Sequence, residues 1–191
     1  TSQTQYWNRL IQPGIVALVG AGGKTTVLSK LVEYGRLQGQ PIVVTTTTQL
    51  YESQVAQYEP IYTKDINDVD EYCTKRIQQG YCGAWFNGIT RTKVDAVDCE
   101  SIDGLSALHP NWQIVVEADG AKEKWLKAPK HTEPVIPSQT KTTIGVVNLQ
   151  MLGASLDEDH VHNLELVQSI VHREEGAIVT PHMLAQIVLH K

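Results

Sequence analysis

The stretch V-G-A-G-G-K-T-T, Val19 to Thr26, places glycines, a lysine and two hydroxyls in one short run. These residue types suit a polyphosphate. Glycines let the backbone come close to an anion, and the amides at a helix start donate to it. Lys24 would reach the β- and γ-phosphates, and the Thr25 hydroxyl would ligate Mg²⁺. The spacing is not the common G-x-x-x-x-G-K-[ST], whose first glycine would fall on Leu18. Gly20, Ala21, Gly22, Gly23, Lys24, Thr25 and Thr26 are the candidate nucleotide-binding residues.

Acidic residues come second. V-V-E-A-D-G-A-K, Val115 to Lys122, is an apolar run ending in carboxylates. A carboxylate at a strand end, beside a phosphate loop, can act on a metal ion or position an attacking water. Glu117 and Asp119 both qualify, as metal and catalytic candidates alongside Lys24, and the Gly120 amide could meet a γ-phosphate. An N-capping aspartate in a tight turn would look the same. The run Thr45 to Thr48 leaves a second strand, expected beside the first, and Thr45 and Thr46 are further candidate metal ligands. Threonine's strand propensity accounts for Thr45 equally well.

The segment Lys127 to Pro137, with three prolines, reads as an extended loop of fixed shape. Lys122, Lys127, His131 and Glu133 would serve a second substrate there, unless the loop is only a solvated connector. His160 and His162 could share an ion only in a strand or loop, because two positions apart on a helix they diverge.

Strands and helices must alternate to position these residues. Apolar, β-branched runs at Gly14 to Val19, Pro41 to Thr45, Tyr81 to Phe86, Gln113 to Glu117 and Thr142 to Asn148 predict strands, with a short one at Pro60 to Tyr62. Helical periodicity predicts helices at Thr25 to Gln38, Ile66 to Gln79, Ser101 to Leu108, Leu164 to Val171 and Pro181 to Leu189. Alternation of this kind implies an α/β fold, a mostly parallel sheet with helices on both faces. Ligands then sit beyond the carboxyl ends of the strands, where the three motif loops converge.

The 191 residues suffice for one α/β domain with a real core. A composition of 41% hydrophobic and 19% charged residues is that of a globular chain. The net charge of -5 argues against nucleic acid as a partner. No apolar run nears the roughly 18 residues of a membrane span, and no secretory signal opens the chain. Cys73, Cys82 and Cys99 form no paired spacing, which suggests reduced thiols and a cytoplasmic protein.

The loop spacing G-x-x-G-K-T-T resembles the shortened phosphate loop of the Mur ligases. The ordered set G-A-G-G-K-T-T, V-T-T-T-T, V-E-A-D-G-A-K, L-K-A-P-K-H-T-E-P-V-I-P, V-H-N-L-E-L-V and V-T-P resembles the YqeC family over nearly the whole chain. That resemblance implies a P-loop NTPase-like fold, 1–191 forming one nucleotide-binding domain, and a role as accessory protein in maturing a selenium-dependent molybdenum hydroxylase or its cofactor. The family positions matched are Gly20, Gly22 to Thr26, Thr45 to Thr47, Glu117, Asp119, Gly120, Lys122, Lys127, Pro129, His131, Glu133, Pro134 and His162. Similar proteins continue past the last helix into an N-K-x-D-like segment. This sequence carries none, so the base-recognition element is missing or lies elsewhere.

The leading expectation is therefore Mg²⁺-dependent binding and hydrolysis of ATP or GTP, assisting a molybdenum hydroxylase or a cofactor-modifying enzyme as partner. Arg91 and Arg173 are the arginines left over for phosphate charge, so fast turnover would call on a partner or second subunit. The alternatives are a Mur-like ligase or small-molecule kinase, and a nucleotide-gated interaction module with little hydrolysis.

Overall fold

Successive side chains of a strand point to opposite faces, so a parallel strand covered on both sides needs apolar residues at every position. The run G-I-V-A-L-V-G meets that need as β1 (Gly14–Gly20), directly after α1 (Ser2–Leu10). The computed structural model describes residues 2–120, 124–128 and 132–190. From β1 the chain enters α2 (Lys24–Leu37), β2 (Ile42–Thr46) and the short β3 (Leu50–Tyr51). Two single 3₁₀ turns precede β4 (Ile61–Tyr62). Next come α3 (Ile66–Gln78), β5 (Gly83–Phe86), β6 (Gly88–Thr90), β7 (Lys93–Asp95) and α4 (Cys99–Leu108). The chain continues through β8 (Gln113–Glu117), β9 (Leu126–Lys127), β10 (Thr140–Val146), β11 (Val161–His162), α5 (Leu164–Val171) and α6 (Pro181–Leu189).

The central sheet has the order β10-β1-β8-β2-β5-β4, and every pairing in it is parallel. The architecture is thus α/β, built on a parallel sheet with helices on both faces. One expectation is corrected. The second strand does not lie beside the first, because β8 pairs with both β1 and β2 and separates them. This brings the acidic end of β8, rather than the threonine run, against the strand that feeds the glycine loop.

Alternation along the strands supplies two cores. Val16 and Leu18 of β1 face one side with Val44, Leu28 and Leu31, under α1 and α2. Ile15 and Ala17 face the other side with Val43, Ile102 and Leu105, under α3 and α4. A third cluster gathers β9, β11, α5 and α6 around Met151, Leu156, Val167 and Met183. A small antiparallel sheet, β3-β7-β6, stands beyond the end of β2. Among the described residues no helix is long and apolar enough to cross a membrane.

Helix starts follow local chemistry. Asp65, Asp98 and Thr180 cap α3, α4 and α6 by accepting from the amides of Asn67, Ser101 and Met183. The start of α2 differs: Gly23 is its N-cap, and no side chain caps it. The first-turn amides of α2 are therefore left for another acceptor.

Candidate functional site

The glycine loop leaves β1 through backbone that other residues rarely adopt. Gly20 has φ 95° and Gly22 φ 73°. A Cβ on Gly20 would lie 2.3 Å from the Val146 carbonyl oxygen, and one on Gly22 would lie 2.4 Å from the Asn148 Cβ. Glycine is therefore required by conformation and by close approach to the end of β10. The Ala21 amide donates to the Val146 carbonyl at 3.1 Å, which ties the loop to that strand.

Lys24 opens α2 and is buried. Its ammonium donates to the Gly20 carbonyl at 2.8 Å and stands 3.5 Å from Glu117 Oε1. Glu117 closes β8 and is likewise buried. Burial pushes the Glu117 carboxyl above its ordinary value, the adjacent Lys24 ammonium opposes that rise, and Asp119 adds to it.

A cleft of about 910 Å³ opens over these residues. Gly22, Gly23, Lys24 and Thr25 of the glycine loop line it, together with Glu117 at the end of β8 and Gly120 just beyond it. Tyr51 and Lys93 of the small antiparallel sheet and Gln54 of the adjoining 3₁₀ turn line it as well. Gly20, Ala21 and Thr26 lie off the lining, and Thr26 is exposed.

The expected metal ligands divide. Thr25 lines the cleft, and its hydroxyl accepts from Gln54 Nε2 at 3.3 Å. Glu117 also faces the cleft. Thr45 does not, since its fully buried hydroxyl donates to the Trp85 carbonyl at 2.7 Å. The Thr46 hydroxyl donates to the Glu117 carbonyl at 2.8 Å and lies 3.1 Å from the Thr48 amide, which donates to it. The cleft is reached instead by Thr47 and Thr48, because the strand ends at Thr46 and the chain turns there. Asp119 is turned away. Its Oδ2 accepts from the Gly20 amide at 3.1 Å, and its Oδ1 is ion-paired with Lys127.

In the proline-rich segment Lys127, Ala128 and Pro137 are buried, while Thr132, Val135 and Ile136 are exposed. Lys127 is buried in β9, and its ammonium holds Asp119, the Gly120 carbonyl and Glu133. Glu133 lines the cleft. His162 lines it too, from β11, opposite Lys127 in register. His160 is engaged elsewhere. Its Nδ1 is 2.6 Å from Asp157, and its ring lies 4.7 Å from that of Trp125. Among the described residues no trio of His, Cys, Asp or Glu gathers at one point. Lys122, Pro129 and His131 lie outside the described residues.

Sequence reasoning missed Tyr51, Gln54 and Lys93. They sit on strands of two or three residues and a single 3₁₀ turn, too short to show a period. Neither Arg91 nor Arg173 lines the cleft, whose cations among the described residues include Lys24, Lys93 and Lys124.

The donor set fits Mg²⁺ of the kind that enters with a polyphosphate. Such an ion keeps most of its waters and takes one or two protein oxygens. Of the expected metal ligands, Thr25 and Glu117 line the cleft and could hold such an ion.

Comparison with known proteins agrees with the motif order. The chain is 28% identical over 180 residues to "Uncharacterized protein YqeC" of Escherichia coli (strain K12), covering 94% of this chain and 69% of that relative. No solved structure matches. The family described as "YqeC protein" matches residues 16–165. That match covers well over half of the sequence, and the chain belongs to the YqeC family.

Proposed function

We propose that the cleft binds a Mg²⁺-nucleoside triphosphate and hydrolyses its terminal phosphoanhydride, on a P-loop NTPase-like framework. The observation that supports this most is the placing of Lys24 at the uncapped start of α2, buried beside Glu117 at the end of the neighbouring strand. First-turn amides and the Lys24 ammonium would hold the β- and γ-phosphates. Thr25 and Glu117 would hold the magnesium, which neutralises charge between those phosphates. Glu117 also orients a water for in-line attack on the γ-phosphorus. The water oxygen bonds to the γ-phosphorus as the bond to the bridging oxygen breaks, the nucleoside diphosphate leaves, and inorganic phosphate keeps one proton of the water while the other passes to solvent.

Calorimetric titration of ATP and GTP with Mg²⁺ tests the reading. Wild type is expected to bind one of them at micromolar concentration, and Lys24→Ala to lose on the order of a hundredfold in affinity. Absence of binding by wild type overturns the reading.

A second reading, transfer of the phosphoryl group to a small acceptor by a kinase- or ligase-type reaction, draws on the extent of the cleft. It continues past the loop to Tyr51 and Lys93, whose ammonium lies 5.3 Å from the Tyr51 ring centre. Stoichiometric nucleotide consumption on adding an acceptor favours transfer, and acceptor-independent turnover favours hydrolysis. The role in maturing a selenium-dependent molybdenum hydroxylase rests on family membership. It is tested by the activity of that hydroxylase in cells carrying Lys24→Ala.

A further inference from the structure

A buried lysine that meets two carboxylates and a carbonyl invites a question of purpose. Taking ions out of water is costly unless the geometry gives that arrangement good partners. The Lys127 ammonium has three: Asp119, the Gly120 carbonyl and Glu133. Asp119 in turn accepts from the Gly20 amide with its other oxygen. A continuous path therefore runs from the first residue of the glycine loop, through Asp119 and Lys127, to Glu133 in the cleft wall.

We propose that Asp119 and Lys127 form a latch that holds the glycine loop in its phosphate-binding shape, both acting as positioning residues and neither as a ligand of metal or phosphate. The proposal rests on the nucleotide reading above. Three observations carry it. Both Asp119 oxygens are engaged away from the cleft. Neither Asp119 nor Lys127 is among the lining residues, whereas Glu117 is. Gly20, the residue held, is the first of the loop glycines to take a positive φ. Lys127 belongs to β9, which pairs with β11 of the third core, so the latch also ties that lobe to the loop.

The charges make the proposal separable from a metal role. Lys127→Met leaves the buried Asp119 carboxylate without this cation, and the Gly20 amide loses a fixed acceptor. Asp119→Asn in the same chain removes that stranded charge and restores a neutral acceptor.

The test measures Mg²⁺-ATP affinity, the magnesium concentration for half-saturation, and hydrogen exchange of the Gly20 amide. The variants are Asp119→Asn, Lys127→Met, the double variant, and Glu117→Gln as the metal-ligand control. Lys127→Met is expected to weaken ATP binding roughly tenfold and to speed Gly20 exchange, with magnesium half-saturation unchanged. The double variant is expected to recover most of the loss. A magnesium shift in Asp119→Asn that matches Glu117→Gln overturns the latch, as does a double variant no better than its worse parent. Should Lys127→Met fail to fold, Asp119→Asn decides alone, with faster Gly20 exchange at unchanged magnesium half-saturation expected. Should wild type bind no nucleotide, the functional reading fails by itself. Gly20 exchange then still judges the latch, and an unchanged rate in the folded variants overturns it.

Discussion

Glu117 Oε1 stands 3.5 Å from the Lys24 ammonium, where β8 ends and α2 begins. Both side chains are largely removed from water. Each therefore sets the electrostatics of the other, and the pair meets whatever enters the cleft.

The first consequence concerns pH. Burial raises the Glu117 carboxyl above its ordinary value of 4.5. The folded protein then holds a proton that the unfolded chain has released. Stability from this group falls as pH rises from 4.5 through the raised value, and above that the deficit is constant. Activity runs the opposite way, because the ionised carboxylate is the form that acts. The acid limb of the nucleotide hydrolysis profile is expected above the usual glutamate range. Glu117→Gln should abolish the limb along with most of the activity. An acid limb unchanged in that variant excludes Glu117 as its source.

Glycine substitutions separate strain from crowding. Gly22→Ala places a Cβ 2.4 Å from the Asn148 Cβ at φ 73°. A cost of about 1–3 kcal/mol is expected, with loss of nucleotide binding. Gly39→Ala meets nothing within 4 Å at a similar φ of 70°. It should cost about 1 kcal/mol, the left-handed penalty alone, and leave binding intact. Thermal melts and titration of the two variants make the comparison.

The threonines can be sorted by one metal titration. Thr25→Ala should raise the magnesium concentration needed for half-saturation. Thr45→Val should leave it unchanged, because the Thr45 hydroxyl serves the Trp85 carbonyl inside the fold. Its effect should instead be a loss of about 1 kcal/mol of stability from the broken hydrogen bond.

Thiol labelling reports on the cores. Cys73 is fully buried, and burial pushes its thiol up to about 12. Cys82 is buried too, while Cys99 is partly exposed at the start of α4. In native protein at pH 8 a thiol reagent is expected to modify Cys99 first, with Cys73 and Cys82 reacting only on unfolding. Early loss of all three thiols would mean that the cores open more readily than their packing implies.

Much of the sheet was legible in advance. The strand Gln113 to Glu117 and the helices Leu164 to Val171 and Pro181 to Leu189 occur with the bounds their patterns suggest. Unbroken apolar runs and a period of 3.6 are strong signals. The first helix was not foreseen, since Ser2 to Leu10 is mostly polar and is anchored by the stacking of Trp7 on Tyr34 at 5.8 Å. Strand order was also out of reach, because periodicity gives no lateral neighbour. That is why the threonine run was expected beside the glycine loop. At the site, Lys24 and Thr25 line one cleft with Glu117, which is far from them in the sequence. Asp119 shows the limit: a carboxylate after a strand looks alike in sequence whether it faces a cleft or a buried lysine.

The third core shares no residue with the two cores that flank the sheet. Its helices have only 8 and 9 residues, too short to persist without that packing. The chain thus contains a segment able to melt as its own cooperative unit while the sheet stays intact. Amides of α5 and α6 should exchange through a smaller opening than those of β1, β8 and β2. Because Val161 and His162 pair with Leu126 and Lys127, each such opening loosens the strand that carries the buried ammonium. The low-energy fluctuations of the molecule are in this way connected to the grip on the glycine loop.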